Sequence, residues 1–503
     1  MADLDESAGD RQRNAGMGAQ DPFGCLSRSG HRTAVSALKR DVFQETPCGL
    51  GLCVTIAVKG NVDLSLKASI TVPVRFPVSD QNHSCSGPFG GQRWIEMRRA
   101  VQALDLNLVP TPLGDEARNR GQSEGLEAQV ASHQLLAPCL VDCHSELPEP
   151  FHGRGETLES LVRTAGTAGF GQLALLPRSL HGVREQPDHL QGFQLSDCGV
   201  RVHLWGGFSR GSSGNELTAH ADLLDAGAVG LSDGRFMPPI ALLDRALMLG
   251  DMNAAPVLIQ PLGPALRGEG LLREGSDALR AGWPLDPVSS ETLPLSQLGQ
   301  LQQCHPDRRL VLMALSTASA VELLQRLPIQ PKATVNWWHV IADSRQSSAT
   351  ASTWFVDPSL GSPFDRQALI RALADSLIQA IAVQATPLDD EECLLPPDQR
   401  SRGVSGHHLV LPSLWQTLVV DEDWPPEQLW QVVSFGPSKV LGVMEECLAV
   451  GSDRWLLFDP EHSWTPSRAD PLGPRAANLP FLGKTVKGRV MNCGLRIPTT
   501  RSC

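Results

Sequence analysis

The sequence predicts an α/β protein built on a closed (β/α)8 barrel, and two observations carry that prediction. Between Leu136 and Leu388, eight short apolar runs alternate with segments whose apolar residues recur at helical spacing. The runs are apolar without interruption rather than at every second residue, as expected for parallel strands covered on their outer face by helices. Eight such units over about 250 residues suit a closed barrel, although the pattern alone leaves a doubly wound open sheet available.

In chain order the strand runs are LAPCLVDC, QLALLP, VRVHLWG, AVGLS, PVLIQP, RLVLMAL, ATVNWW and QAIAVQ. The helical candidates between them are ETLESLVRTAGTAG, NELTAHADLLDAGA, PPIALLDRALMLGDM, ETLPLSQLGQLQQ, TASAVELLQRL and DRQALIRALADSLIQ. After the eighth run, SGHHLVLPSLWQTLVV and PPEQLWQVVSF read as helices, and DRWLLFDP and KGRVMNCGLRI as strands. These last strands suggest a small flanking β-sandwich subdomain, completed by chain preceding the barrel.

The expected organisation has four parts. Residues 1–90 form a weakly ordered N-terminal extension, with strand candidates only at LCVTIAVKG and ASITVPVRFPV. Residues 91–135 begin the flanking subdomain, 136–450 hold the barrel and trailing helices, and 451–503 return to the flank. Met97 stands just ahead of the patterned part and is a candidate later start.

A formal charge of -12 argues against nucleic acid or an anionic membrane as partner. No apolar run is long enough to span a bilayer, and the N-terminus has no apolar signal region, so a cytoplasmic protein is expected. The twelve cysteines form no CxxC pair, which favours reduced thiols. Cys139 and Cys143 could make half of a zinc site, but no second pair answers them. The chain contains no tyrosine, for which there is no physical account.

In a (β/α)8 barrel the chemistry sits at the C-terminal ends of the strands. The first run ends at His144 and Glu146 and the fourth at Ser232 and Asp233. The fifth ends at Gln260, the sixth near Ala314, and the eighth at Gln384 and Ala385.

The motifs at these positions resemble those of the dihydroorotase family of the amidohydrolase superfamily. LAPCLVDCHSELPEP is similar to that family's APGLVDxHxHLREP, and ETLESLVRTAGTAGFGQLALLP to ETxxSxxxAAxxGGFTxVxxMP. LLDAGAVGLSDG, LSTASAVELL and DPSLGSPFDRQALIRALADSLIQAIAVQATP follow in the family's order, and the resemblance extends from Leu136 to Ile497. It implies a barrel of the metal-dependent hydrolase type.

The resemblance also implies a two-zinc centre, and most of its ligands are replaced. His144 matches the first histidine and Asp233 a carboxylate after strand four. Glu146 stands at the second histidine, Gln260 and Ala314 at the two later histidines, and Gln384 at the aspartate that serves the family as general base. Glutamine is a weak neutral donor and alanine no donor at all. An amide cannot take a proton, a function worth on the order of 10² to 10⁴ in rate. The substrate positions differ too: Pro148 replaces an arginine, Asp357 an asparagine, and a second asparagine falls near Arg178 or Ser179.

The resemblance therefore implies a non-catalytic homologue in pyrimidine biosynthesis, without a cofactor, oligomeric, and a structural partner of aspartate transcarbamoylase. The alternative is an active, diverged dihydroorotase or cyclic-amide hydrolase. It would hold one divalent metal such as zinc at His144, Glu146 and Asp233. If no metal binds there, His144 is expected to be buried and hydrogen-bonded to Asp233.

Three further patterns bear on chemistry. Gly207-Phe208-Ser209-Arg210-Gly211 satisfies GxSxG after a strand, with His339, His407 and His408 as candidate bases for a nucleophile elbow. GFSRGSSG lacks the lysine of a phosphate loop. The pair His407-His408 has no ligand spacing and is expected to cap or line a helix.

Overall fold

The computed structural model describes residues 134–179, 182–195, 198–347, 354–396, 399–447, 453–470 and 472–497. All of these belong to one compact unit, Gln81–Cys503. The strand candidates in 52–60 and 68–78, Met97 and the expected extension 1–90 lie outside the described residues, as does nearly all of 91–135.

The first predicted strand is in fact two. Strand β1, Leu135–Pro138, pairs antiparallel with β10, Trp455–Trp464, whose other neighbour is β11, Val486–Cys493. The chain then changes sheets at Cys139 and enters the barrel as β2, Leu140–Ser145. Pro138 has no N–H to continue a ladder. The carbonyls of Pro138 and Cys139 accept from Trp430 Nε1 (3.0 Å) and Ser434 Oγ (2.7 Å), which anchors the chain where it passes from one sheet to the other.

The remaining barrel strands are β3 (Phe170–Leu175), β4 (Arg201–Gly207), β5 (Gly230–Ser232), β6 (Pro256–Ile259), β7 (Arg309–Leu312), β8 (Lys332–Asn336) and β9 (Ala380–Ala382). From β2 to β9 their order in space is their order in the chain, and each neighbouring pair is parallel. The ends of that row meet. Gln384 N donates to His144 O at 3.0 Å and Glu146 N to Ala385 O at 2.7 Å, so the sheet closes at its C-terminal rim rather than opening as a doubly wound sheet.

Alternation in the strands sorts two cores. Leu140, Leu173, Leu204, Val257, Leu310 and Val335 face outward into the layer of helices. Val141, Ala174, Trp205, Leu258, Val311 and Ala380 fill the barrel. Trp205 is fully buried there, and its Nε1 donates to Cys143 O at 3.0 Å, which satisfies the one polar atom of the indole.

The covering helices include α1 (Leu158–Thr167), α2 (His220–Asp225), α3 (Ile240–Leu249), α4 (Ser289–Cys304), α5 (Ala318–Arg326) and α6 (Pro363–Ala374). Local chemistry starts several of them. Thr157 with Ser160, and Ser362 with Asp365, form reciprocal capping boxes, and Thr317 caps α5. Helix α7, His407–Leu414, follows the barrel.

Cys139 belongs to the outer core and Cys143 to the inner one, so the CxxxC spacing does not converge on one point. Burial raises both thiols well above their ordinary value. Cys447 is disulfide-bonded, contrary to the expectation of reduced thiols throughout. Spacing carries no information about which thiols meet in space.

Candidate functional site at the barrel mouth

A register shift near the end of β2, between Asp142 and Ser145, turns His144 toward the barrel mouth. Its ring is held from both sides. Nδ1 donates to Gln384 Oε1, and the Thr334 hydroxyl donates to Nε2 at 2.9 Å. Thr334 is itself oriented by accepting from Ala314 N at 2.8 Å. Burial lowers the imidazole to about 4, so it is neutral at physiological pH. With Nδ1 protonated and Nε2 accepting, neither nitrogen has a lone pair left for a metal.

Glu146 is turned to a different task. Arg235, in the loop after β5, meets it at two points, Nε to Oε1 at 2.7 Å and Nη2 to Oε2 at 3.1 Å. The same guanidinium donates to Arg402 O at 2.6 Å and to Thr386 Oγ1, and lies 3.8 Å from Asp357 Oδ2. Asp357 is paired with Arg267 at 2.9 Å. Burial would raise the Asp357 carboxyl, but Arg235, Arg267 and Arg402 hold it below its ordinary value. One arginine thus ties together the loops after four strands.

Asp233 closes a third, separate network. Its Oδ1 accepts from Phe208 N (2.9 Å) and Ser209 N (3.0 Å), and its Oδ2 from the Ser209 hydroxyl. Burial raises this carboxyl to about 6, against the opposing pull of those hydrogen bonds.

The three residues expected to share a metal are therefore not brought together. Among the described residues no three His, Cys, Asp or Glu side chains are grouped to hold one. The donor set does not fit a zinc ion. The expected bond from His144 to Asp233 is also absent, because each has nearer partners on its own rim of the barrel.

Two replaced ligand positions keep an uncommon backbone. Ala314 and Gln384 both have positive φ, 57° and 48°, where a side chain costs energy that glycine avoids. Gln384 spends its oxygen on His144 while its Nε2 is unpartnered. Gln260 has neither amide atom bonded, and the same holds for Asn336, two residues beyond Thr334 on the same face of β8.

Beneath this layer Asp142 is a junction. Its Oδ1 accepts from His144 N (3.3 Å) and Val383 N (3.1 Å), and its Oδ2 from Ser145 Oγ and His407 Nε2 (3.1 Å). The carboxylate joins the first barrel strand, the last one and the start of α7. His407 begins that helix, in keeping with its expected place.

The GxSxG motif does not assemble a nucleophile. Ser209 is buried and donates to Asp233, Gly214 N donates to its Oγ at 2.9 Å, and no histidine bonds to it among the described residues. Of the candidate bases, His407 is bound to Asp142, and His339 donates to the Pro358 carbonyl at 3.1 Å. His408 packs on Trp464. Ser179, near a predicted substrate position, lies in a short antiparallel ladder with Gly182 in the loop that follows β3.

Sequence reasoning missed Arg235, Thr334 and Asn336. Period-two alternation in ATVNWW puts Thr334 and Asn336 on one inward face, a signal that was available. Nothing in the spacing of Arg235 announces that it would reach Glu146, 89 positions away.

No protein-family model matches the chain. A probable dihydroorotase-like protein from Synechocystis is 34% identical over 445 residues, covering 81% of this chain and 97% of that protein. A dihydroorotase from Pelotomaculum thermopropionicum is 28% identical, covering 72% of this chain and 86% of its own length. Among solved structures, an L-hydantoinase (dihydropyrimidinase) from Arthrobacter aurescens shares the fold with a TM-score of 0.59 at 18% identity, covering 72% of this chain and 84% of its own. Motif order, a closed eight-stranded parallel barrel and relatedness across most of both chains agree, and the chain belongs to the dihydroorotase-like proteins of the amidohydrolase superfamily.

Proposed function

We propose that this protein is a non-catalytic dihydroorotase homologue that acts in the cytoplasm as a structural partner of aspartate transcarbamoylase in pyrimidine biosynthesis. One observation carries the reading. His144, the one family-type histidine at these strand ends, is locked as a neutral ring between Gln384 and Thr334, with both nitrogens engaged. Gln384 stands where the resemblance places a general base, and an amide has no basic lone pair to take a proton. Glu146 is spent on Arg235 and Asp233 on Ser209, so neither of these carboxylates is free to activate water.

In this reading the barrel works as a rigid body. The Asp142 junction and the Arg235 ties stiffen the mouth, which suits a surface held in a fixed shape for an oligomeric assembly. No cofactor is required.

The test pairs metal analysis of the purified protein with an assay of carbamoyl aspartate cyclisation and co-purification with aspartate transcarbamoylase. The expected result is substoichiometric metal, no turnover and recovery of a complex. Stoichiometric metal with turnover would replace this reading by that of an active, diverged cyclic-amide hydrolase. Failure to recover aspartate transcarbamoylase would remove the partner assignment.

A further inference from the structure

The end of the barrel opposite the mouth gathers positive charge around one backbone oxygen. Arg309 opens β7 and Lys332 opens β8, so both stand at the N-terminal ends of adjacent parallel strands. They meet at the close of helix α8, Gly436–Leu441, which carries Lys439. Lys332 Nζ donates to Lys439 O at 2.8 Å, and Arg309 Nη2 donates to the same oxygen at 3.0 Å and to Val440 O at 3.2 Å. The two cationic nitrogens are therefore no more than 5.8 Å apart, the sum of their distances to that oxygen.

Closing a helix explains only part of this. The C-terminal end of a helix carries roughly half a negative charge, which a single cation offsets. Here three cations converge, Arg309, Lys332 and the side chain of Lys439 itself. Among the described residues the one carboxylate paired with any of them is Glu445, 3.5 Å from Lys439 Nζ. With Glu445 and the helix end counted, roughly 1.5 positive charges have no counter-charge. Burial lowers the Lys332 ammonium below its ordinary value, and the nearby charges of Arg309 and Lys439 lower it further. Donors are also in surplus: Lys332 has two more N–H groups, and Arg309, which also reaches Ala254 O at 3.4 Å, uses no more than three of its five.

The excess charge selects the occupant. A metal ion would be repelled, and an uncharged molecule would leave the repulsion in place. A carboxylate brings one charge, whereas a phosphate group brings about 1.5 to 2 at pH 7 and three acceptor oxygens. Charge-assisted N–H···O bonds of about 2.7–2.9 Å let one such group span both nitrogens. A long polyanion is disfavoured by the net charge of -12 on the whole chain. We infer that the N-terminal face of the barrel binds a compact phosphate group, as the free ion or a small monoester, between Arg309, Lys332 and Lys439. The site lies at the opposite end of the barrel from His144 and holds whether or not the mouth is catalytic.

The experiment titrates the full-length protein with inorganic phosphate and with glycerol 3-phosphate, by calorimetry and phosphorus NMR, at an ionic strength fixed with sodium chloride. Acetate and tetraglutamate are the comparison probes. Saturable binding of a phosphate species is expected, weakened about tenfold by Lys332→Gln, which removes a charge-assisted contact. Lys439→Glu should abolish it; that side chain is 56% exposed, so the variant remains informative if the first does not fold. Inorganic phosphate bound at least as tightly as the ester assigns the free ion, and tighter binding of glycerol 3-phosphate assigns a monoester.

Absence of saturable binding, acetate bound as tightly as phosphate, or affinity unchanged in both variants would overturn the inference. So would tighter binding of tetraglutamate, which would make this face the seat of an acidic protein segment instead.

Discussion

Glu146 and Arg235 form a two-point ion pair, 2.7 and 3.1 Å, that fastens the end of the first barrel strand to the loop after β5. Each side chain is only about a fifth exposed, at 20% and 19%. Glu146 has become a structural anchor where the resemblance places a metal-ligating histidine.

Removing one partner should therefore cost more than a surface ion pair does. In Arg235→Met the Glu146 carboxylate keeps only the Thr386 hydroxyl, at 3.4 Å. We expect a loss of about 2–3 kcal/mol, from the penalty of leaving a largely buried charge unpaired. Urea unfolding of both single variants and the double Glu146→Gln/Arg235→Met should show strong coupling, with the double variant more stable than the sum of the singles. Additive losses would mean the pair contributes nothing beyond its separate side chains.

His144 and Asp233 should pull stability in opposite directions across one pH window. The folded state lowers His144 from 6.5 to about 4, so its contribution is full above 6.5 and is lost as pH falls toward 4. It raises Asp233 from 3.8 to about 6, so that contribution is full below 3.8 and is lost as pH rises through 6. Each spans about 3 kcal/mol at 1.36 kcal/mol per pH unit. Relative to wild type, His144→Gln should lose stability as pH rises from 4 to 6, and Asp233→Asn should gain it. Parallel profiles for the two variants would contradict this.

Asp142 is the residue whose loss should loosen the closure of the barrel. Asp142→Ala strips an acceptor from Val383 N, His144 N, Ser145 and His407 at once. A cost of about 3 kcal/mol or more is expected, since buried donors are left unsatisfied. Hydrogen exchange should quicken first along β9 and residues 383–385. Uniform acceleration over all eight strands would place the junction's role elsewhere.

Ala314 pays for a left-handed backbone without any bond made by its side chain. Ala314→Gly should leave stability unchanged or raise it by up to about 1 kcal/mol, because relief at φ 57° offsets the greater freedom of the unfolded glycine. Ala314→Val should destabilise by more than about 1 kcal/mol. Thermal melts of the two variants check the sign directly.

Most of the fold was legible in the sequence because it is written locally. Uninterrupted apolar runs, helical spacing and capping residues such as Thr157, Thr317 and Ser362 each act within a few positions, and all eight predicted barrel strands are present. The break at Cys139 was not legible, because it depends on Trp430 and Ser434 arriving from nearly 300 residues away. The site was half legible: the residues at the strand ends were identified, but not whom they bind.

By itself the sequence determined the eight alternating strands and helices, the resemblance to dihydroorotases and the replacement of ligands at Glu146, Gln260, Ala314 and Gln384, since side-chain type and order suffice for these. Only the tertiary structure decided what the remaining residues do. Hydrogen-bond partners are set by distances of about 3 Å between atoms far apart in the chain. Those distances gave His144 to Gln384 and Thr334, Glu146 to Arg235, and Asp233 to Ser209, in place of one shared ion.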